Sequence, residues 1–239
     1  VEGPVAMTID LDAQVRAADL DRWLASRFVA DEQARADLIA LYAFEAELLA
    51  IPTRVTQPLL AEMRYAWWGE QMEGVFTDTP RVGHPVLEAL TATVTRHGLE
   101  RAPFDALIEA HIGRVHGEPH DLDAFYVGPM QAAVRILAGE WHEASATVAG
   151  RLRGLAQTGR TDEAQAARAE ANQMLRALPA AAFPAVAAAA LGLTALIGRF
   201  PGLVGFCDGR VDVALLELLL DGLDLFVVDA KIGGDDVRV

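Results

Sequence analysis

The chain has 239 residues, 52% of them apolar, and a formal net charge of −14 at pH 7. That length and apolar content predict one domain with a sizeable hydrophobic core. The acidic balance excludes a nucleic-acid partner, because neutralisation of phosphates by basic side chains supplies most of such affinity.

The N-terminal residues VEGPVAMTID lack the basic and apolar regions of a signal peptide. Cys207 is the single cysteine of this chain, which excludes an intrachain disulfide and favours a reducing compartment. We therefore expect a cytoplasmic protein. Residues 1–19 are interpreted as an N-terminal extension.

Helical spacing is clear in the stretch DLIALYAFEAELLAIP, Asp37 to Pro52. Apolar residues and one carboxylate recur there every three or four positions, which predicts a helix with one stripe of Leu38, Leu41, Tyr42, Glu45 and Leu49. We predict that Pro52 ends this helix, because a proline ring clashes with the preceding turn.

The next helix is predicted to begin near Thr56 to Pro58, since proline is tolerated in a first turn. One of its faces is formed by Leu59, Met63, Ala66 and Trp67. Another face is formed by Tyr65, Trp68, Met72 and Phe76. A helix with two apolar faces packs on both sides, so we predict that this helix is central.

Further helices are predicted along the chain by the same periodicity. A loop around TDTPRVGHP leads to a helix from Pro85 to His97, closed by Gly98 as a C-cap. Later helical segments are Ala102–Val115, Gln131–Leu155, Asp162–Leu178 and Ala185–Ile197. The polar turn HGEPHDLD offers Asp121 or Asp123 as the cap of the helix that follows.

No charge occurs from Ala177 to Gly198, a run long enough to cross a bilayer. The run is mostly alanine, which contributes little insertion energy, so we predict a buried core helix and no transmembrane span. After Arg199 the chain is apolar and punctuated by Gly and Asp. A short helix at 213–220 and a strand at 225–228 are one interpretation of this tail, residues 199–239, and a divergent or frame-shifted segment is the other.

Three blocks, RADLIALYAFEAELLAI, LLAEMRYAWWGEQMEGVF and HPVLEAL, follow one another between positions 35 and 90. Their order and spacing resemble the squalene/phytoene synthase family, and the resemblance extends over residues 20–122, with a weaker part over residues 151–198. It implies an all-α domain at 20–198, an isoprenoid-synthase-type helical bundle around an apolar cavity. Active members of the family condense two isoprenyl diphosphates head to head with magnesium.

The family's chemistry depends on aspartates that this chain lacks. A prenyl diphosphate ionises only when Mg²⁺ held by carboxylates neutralises the leaving group, and two aspartates four residues apart reach one ion cluster. Aligned on LYAF, the first pair falls near Leu49 or Ala50 and at Thr53, none of which ligates as an aspartate does.

The second acidic motif of the family is also incomplete in this chain. VAGRLRGLAQTGRTDEAQ resembles the family's later helix through Gly150, Gly154 and Gln157. Asp162 and Glu163 lie near the position of the acidic ligands, but no acidic partner follows one turn later. Helix N-terminal charges favoured by the dipole are the simpler interpretation, so no metal ligands are assigned.

The resemblance leaves Glu45, Asp162 and Glu163 as weak catalytic candidates. For Glu45 we favour a hydrogen-bonded structural role, because buried carboxylates rarely lack partners, and for Glu47 a structural ion pair. Candidate substrate contacts are the aromatic side chains of a prenyl-sized pocket and two arginines for the diphosphate: Tyr42, Trp67, Trp68, Arg54 and Arg64. Ordinary core aromatics and solvated arginines are the alternative interpretation.

The segment HIGRVHGEPHDLD gathers three histidines and three acidic residues. His111 and His116 are five residues apart and so diverge around a helix, which disfavours a zinc site. We interpret His111 as a core histidine and the remainder as a solvated turn.

The chain keeps the three sequence blocks of the family but lacks its aspartate pairs. In this it is similar to the phytoene-synthase-like assembly factors of mitochondrial complex I and their bacterial relatives. That resemblance implies a role in a respiratory assembly step or in handling an apolar ligand, with peripheral contact to the inner membrane. We favour a non-catalytic or altered family member that binds an apolar or prenyl ligand, a protein partner, or both. The alternatives are a Mg²⁺-dependent prenyltransferase acting on farnesyl or geranylgeranyl diphosphate, and a misassembled or truncated gene product.

Overall fold

The computed structural model describes residues 10–187, in which every regular element is helical. The helices are α1 (Leu11–Ala18), α2 (Leu20–Ser26), α3 (Glu32–Arg54), α4 (Pro58–Phe76), α5 (Pro85–His97), α6 (Ala102–Val115), α7 (Gly128–Ala138), α8 (Glu143–Gln157) and α9 (Thr161–Leu175). A π-helical turn (Asp123–Val127) precedes α7, and a 3₁₀ turn (Ala180–Ala182) follows α9. The predicted all-α class is confirmed for this part of the chain.

Local sequence signals explain most of the helix ends. The side chains of Asp10, Asp19 and Asp31 accept hydrogen bonds from backbone N–H groups at the starts of the first three helices. Gly98 closes α5 in the left-handed region at φ 58°, as predicted. Of the two caps predicted in the polar turn, Asp121 is the one that accepts, from the backbone N–H groups of Asp123 and Ala124.

Helix α3 is the central element of the described bundle. Twelve of its 23 residues are buried, and it packs against α1, α5 and α7. The prediction that α4 is central was wrong, because only its Tyr65, Trp68 and Met72 face is buried, against α3, α5 and α6. The other apolar face of α4, around Leu59 and Met63, is exposed.

Helix α3 continues through Pro52 to Arg54, so the prediction that Pro52 ends the helix was wrong. A proline lacks the N–H that would bond the carbonyl four residues earlier, which here belongs to Leu48. The buried Tyr65 hydroxyl on α4 donates to that carbonyl at 3.2 Å. The carbonyl freed by Pro52 is therefore satisfied from the neighbouring helix, which removes part of the penalty for proline inside α3.

Tyr65→Phe is expected to lower the free energy of unfolding by about 1–2 kcal/mol, because it leaves the buried Leu48 carbonyl without a partner. In a Pro52→Ala background the same change is expected to cost less. Residue 52 then has a backbone N–H, which can bond the Leu48 carbonyl within α3. Denaturant unfolding of the four proteins measures both costs. Equal costs in the two backgrounds would contradict this account of Pro52.

Two other parts of the chain differ from their predicted structure. The segment Gln131–Leu155 is not one helix, because Gly139 adopts φ 73° after α7 and α8 begins four residues later. Helices α1 and α2 were not predicted, yet α1 packs on α3 and its Val15 is buried. Most of the helix predicted at 185–197 lies outside the described residues, which end at 187. The helix predicted at 213–220 and the strand predicted at 225–228 lie outside them entirely.

Helix α8 approaches the π-helical turn at two glycines, Gly150 and Gly154. A Cβ atom at Gly150 would lie 2.6 Å from the Tyr126 carbonyl oxygen and 2.7 Å from the Val127 Cα. A Cβ atom at Gly154 would lie 2.6 Å from the Tyr126 ring. These two glycines let the turn lie directly on α8, which places Arg153, between them in sequence, inside the bundle.

A buried carboxylate joins α3 to α5. Asp37 accepts hydrogen bonds from Gln33, Thr93 and Arg96 and lies 2.8 Å from Nε2 of His97. Burial alone would raise the pKa of Asp37, but the hydrogen bonds from His97 and Arg96 lower it overall. The group is fully engaged in holding the two helices together. Within residues 10–187, each helix is too short or too polar to serve as a bilayer-spanning segment.

Candidate functional site

The positions of α3 at which the family carries its first aspartates hold no carboxylate in this chain. Leu49 and Thr53 are exposed there, and Ala50 is half-buried. The Thr53 hydroxyl donates to the Ala50 carbonyl at 2.8 Å, so it is engaged within its own helix. Because α3 continues to Arg54, the helical geometry is kept and the ligands alone are missing.

Glu45, one turn before Leu49, is buried and paired with an arginine. Its Oε1 lies 2.7 Å from Nη1 of Arg22 on α2, and both side chains are 8% exposed. The contact is an ion pair whose angles do not make it an aligned hydrogen bond. Glu45 is thus engaged by an opposite charge inside the bundle.

The pair extends into a network that reaches α8. Asp19, just before α2, lies 3.8 Å from Nε of Arg22 and accepts a 2.6 Å hydrogen bond from Nη2 of Arg153. The Arg22 guanidinium also lies over the ring of Tyr42, 4.5 Å from its centroid. We call Asp19, Arg22, Glu45 and Arg153 the buried ionic network; it holds two positive and two negative charges and joins α2, α3 and α8.

Burial and opposite charge act against each other on the pKa values of the network. Burial, the largest single effect, would lower the pKa of Arg22, but Glu45, Tyr42 and Asp19 together outweigh it and raise that pKa. Burial and the charge of Arg22 lower the pKa of Arg153. Burial would raise the pKa of Asp19, but the charges of Arg22 and Arg153 lower it overall. Burial raises the pKa of Tyr42 to about 12, so its hydroxyl stays neutral at physiological pH. Opposite charges held together inside the bundle satisfy one another, which leaves the network with no net charge.

The other acidic candidates lie at the start of α9 and are exposed. Glu163 accepts two hydrogen bonds from Arg160, and the one from Nε is 2.7 Å long. These bonds lower the pKa of Glu163. Asp162 lies beside it in the first turn, where the helix dipole favours a negative charge.

The residues present do not fit the magnesium cluster that the family implies. Magnesium is held through oxygen ligands, with carboxylates gathered around the phosphates. Across residues 10–187, no group of three or more His, Cys, Asp or Glu side chains is arranged to hold a metal ion. The carboxylate that remains on the α3 stripe, Glu45, is bound by Arg22.

The predicted substrate contacts differ in their exposure to solvent. Tyr42 and Trp68 are buried, Trp67 is half-buried, and both predicted arginines are exposed. Arg54 pairs with Glu47 at 2.9 Å, and Glu47 also accepts a 2.6 Å bond from Gln14, so its predicted structural ion pair is confirmed. The two tryptophans pack edge to face, with centroids 5.2 Å apart, and contact His84.

A small apolar cavity lies between α3, α6 and α7. It is lined by Leu41, Phe44, Glu45, Pro103, Phe104, Leu107, Gly128, Pro129 and Ala132. Its volume is about 10 Å³, roughly the space needed by one water molecule. Sites for drug-sized ligands occupy about 300–1,000 Å³, so this cavity cannot hold a prenyl chain as it stands. Neither Trp67 nor Trp68 contributes to its wall.

His111 is a core residue, as the sequence predicts. Its ring stacks on Tyr65 with centroids 5.0 Å apart and meets the Phe125 ring edge-on at 4.7 Å. Burial lowers the pKa of His111 to about 4. His116 instead lies with Glu109, Glu118 and Asp121 along an open polar groove of about 490 Å³ on the surface.

Acidification from pH 6.5 to pH 4 is expected to destabilise the fold through His111. The unfolded chain takes up a proton near the ordinary pKa of 6.5, whereas folded His111 does so only near 4. Between these values the unfolded state binds more protons, so stability falls with falling pH, by at most about 1.4 kcal/mol per pH unit. His111→Phe keeps the ring contacts and is expected to remove most of this loss in pH-dependent unfolding. His116→Gln, at an exposed histidine, is the matched control, and an unchanged acid limb in His111→Phe would contradict the assignment.

Three members of the buried ionic network were not found from the sequence. Asp19 and Arg22 lie three positions apart at the start of α2, but Arg153 follows Arg22 by 131 positions in the chain. One local signal was available, because Arg153 lies in RLRGLAQ, where flanking glycines allow a close helix contact. Only Glu45, on the apolar stripe of α3, was named in advance.

The described helices form a bundle with α3 at its centre, and positions 49, 50 and 53 of that helix hold no carboxylate. A family model described as squalene/phytoene synthase matches residues 15–126, from within α1 to the π-helical turn. That segment is 112 of the chain's 239 residues and is similar to the squalene/phytoene synthase family; the all-α, isoprenoid-synthase-type fold class is as predicted for the described residues. Neither a curated protein nor a solved structure matches the chain.

Proposed function

We propose that this chain is a squalene/phytoene synthase-family protein that does not transfer prenyl groups and that works by binding a protein partner. The partner class we favour is a subunit of a respiratory membrane complex during its assembly, with peripheral contact to the inner membrane. The resemblance to phytoene-synthase-like assembly factors motivates that choice of partner.

The observation that carries the non-catalytic proposal is the Arg22–Glu45 pair. It occupies the α3 stripe one turn before the positions of the missing aspartates, with both side chains 8% exposed. A diphosphate-binding face needs open, convergent metal ligands, whereas this face offers a carboxylate already engaged by a buried arginine. Leu49, Ala50 and Thr53 supply no replacement.

Binding of an apolar or prenyl ligand has less support than binding of a protein. The cavity beside Glu45 has a volume of about 10 Å³, which is too small for an isoprenyl chain. A ligand-binding form would require the helices around Phe44 and Phe104 to separate. Saturable binding of farnesyl diphosphate or farnesol to the folded protein, measured by calorimetry, would return this alternative to first place.

The prenyltransferase alternative would use Glu45, Asp162 and Glu163 as substitute ligands, with Arg54 and Arg64 on the diphosphate. Arg22 engages the first of these carboxylates, Arg160 engages Glu163, and Glu47 engages Arg54. The separate engagements of these side chains favour structural roles over a shared metal site.

The catalytic question is tested by diphosphate release from farnesyl and geranylgeranyl diphosphate, with Mg²⁺ and then with a chelator. We expect no release above the buffer control from protein that melts cooperatively. Leu49→Asp/Thr53→Asp is the matched variant, because it returns two carboxylates to exposed positions of the same helix. We expect that variant, and not the wild type, to bind Mg²⁺ in calorimetry. Metal-dependent release by the wild type would overturn the non-catalytic proposal.

The assembly role is tested by deleting the gene in its host and measuring assembled NADH–quinone reductase in the membrane. We expect less assembled complex after deletion, with recovery on return of the wild-type gene. An Asp162→Asn/Glu163→Gln variant is expected to restore assembly equally, because these exposed carboxylates have no catalytic task in the proposal. An unchanged level of complex after deletion would contradict the assembly role while leaving the non-catalytic proposal standing.

A further inference from the structure

Large apolar side chains are exposed together where α3 ends and α4 begins. On α4, Leu59 is 67% exposed, Met63 is 60% exposed and Leu60 is 43% exposed. Leu49 on α3 is 58% exposed, and the Tyr65–Leu48 hydrogen bond holds the two helices side by side at this level. We call these four side chains the outer face of α4. A group of this kind differs from the single exposed hydrophobic residues that are normal on protein surfaces.

The edge of the outer face carries positive charge. Arg64 follows Met63 directly, is exposed, and has no salt bridge to any residue in the 10–187 range. Arg54 is exposed at the end of α3, where it pairs with Glu47. The acidic neighbour Glu62 is directed towards α6, 3.4 Å from His116. The surface is therefore apolar, with Arg64, which is unpaired among residues 10–187, and the Glu47-paired Arg54 at its edge, although the chain as a whole is strongly acidic.

A segment of the same chain has complementary chemistry. Residues 211–228, VDVALLELLLDGLDLFVV, contain thirteen apolar residues, four carboxylates and no basic residue. The 24 residues from position 187 to 211 can extend to roughly 80 Å, so the segment can reach any face of the described bundle. Burial of its leucines against the outer face would remove apolar surface from water on both sides, and its carboxylates would lie beside the exposed arginines.

We propose that residues 211–228 cover the outer face of α4 in the intact chain. An anionic membrane fits this surface less well, because a net charge of −14 opposes approach of the whole molecule. A tethered segment also has an advantage over a separate molecule, since the connection raises its effective concentration at the face. A protein partner that uses the outer face must then displace this segment. The proposal does not depend on the function proposed above.

Photocrosslinking in the full-length protein tests this contact. Met63→benzoylphenylalanine places a reactive group on the outer face at a position that is already exposed, and Ala144→benzoylphenylalanine on α8 is the matched control. After irradiation of dilute protein, we expect an adduct of single-chain mass that joins position 63 to a peptide from 211–228. The control position is expected to give no such adduct.

A second pair of changes separates contact by this segment from chance proximity. Leu216→Asp/Leu219→Asp in the probe-bearing chain is expected to lower the adduct yield about tenfold, because buried carboxylates without partners are strongly unfavourable. A probe at Leu59 should give the same peptide if position 63 disturbs the face. Any one of four results would overturn the proposal. The adducts could all have dimer mass, or they could form only when phosphatidylglycerol vesicles are added. Position 144 could give as much adduct with 211–228 as position 63, or neither outer-face probe could give an adduct with that segment.

Discussion

Replacement of Gly150 by alanine is expected to lower the free energy of unfolding by about 2–4 kcal/mol, one of the two largest effects we predict. The new Cβ atom would lie 2.6 Å from the Tyr126 carbonyl oxygen and 2.7 Å from the Val127 Cα. These are backbone atoms, which cannot rotate away as the end of a side chain can. The π-helical turn must therefore move off α8, and thermal or denaturant unfolding measures the cost.

Gly69→Ala is the matched control for this substitution. Gly69 lies in the interior of α4, and a Cβ atom there would have no neighbour within 4 Å. We expect a gain of about 0.5–1 kcal/mol, because alanine has the higher helix propensity and restricts the unfolded chain. Gly154→Ala should fall between the two, since its Cβ would meet the movable Tyr126 ring. Equal stability of the Gly150 and Gly69 variants would contradict the close approach of the turn to α8.

Glu45→Gln is expected to cost about 3–5 kcal/mol, because it leaves the buried Arg22 short of a compensating charge. Arg22→Met should cost a similar amount by leaving Glu45 unpaired inside the bundle. The double change Arg22→Met/Glu45→Leu removes both charges and replaces them with apolar groups, so it should cost less than either single change. Denaturant unfolding of the four proteins gives the interaction energy by a double-mutant cycle.

Arg54 and Glu47 provide the comparison for that cycle. Their ion pair is 2.9 Å long, but the Arg54 side chain is 55% exposed. Solvent screens exposed ion pairs, so we expect replacement of either residue to lower the free energy of unfolding by only about 0–1 kcal/mol. Replacement of both should cost at least as much as either single replacement. If the Arg22 and Glu45 changes are equally mild, the pair does not organise the interior, and the main support for the non-catalytic proposal is lost.

Sequence periodicity and local signals determined the all-α class and both ends of α5 and α6, because those features depend on residues a few positions apart. Helix α5 begins at Pro85 and ends before Gly98 as predicted, since proline at a start and glycine at an end act locally. The loss of the first aspartate pair was likewise visible from LYAF and the residues that follow it. These conclusions needed no knowledge of which helices meet.

The tertiary structure decided what occupies the place of the lost chemistry. Arg22 and Arg153 become neighbours of Glu45 only when α2, α3 and α8 pack together, and no local pattern connects them. Pro52 was misread for the same reason, because the donor that satisfies Leu48 comes from Tyr65 on another helix. The outer face of α4 was predicted to be buried, since amphipathicity reports that a face is apolar but not whether a neighbour covers it. Spacing along a chain fixes which residues share a helix face, whereas long-range packing fixes which charges, carbonyls and apolar faces find partners.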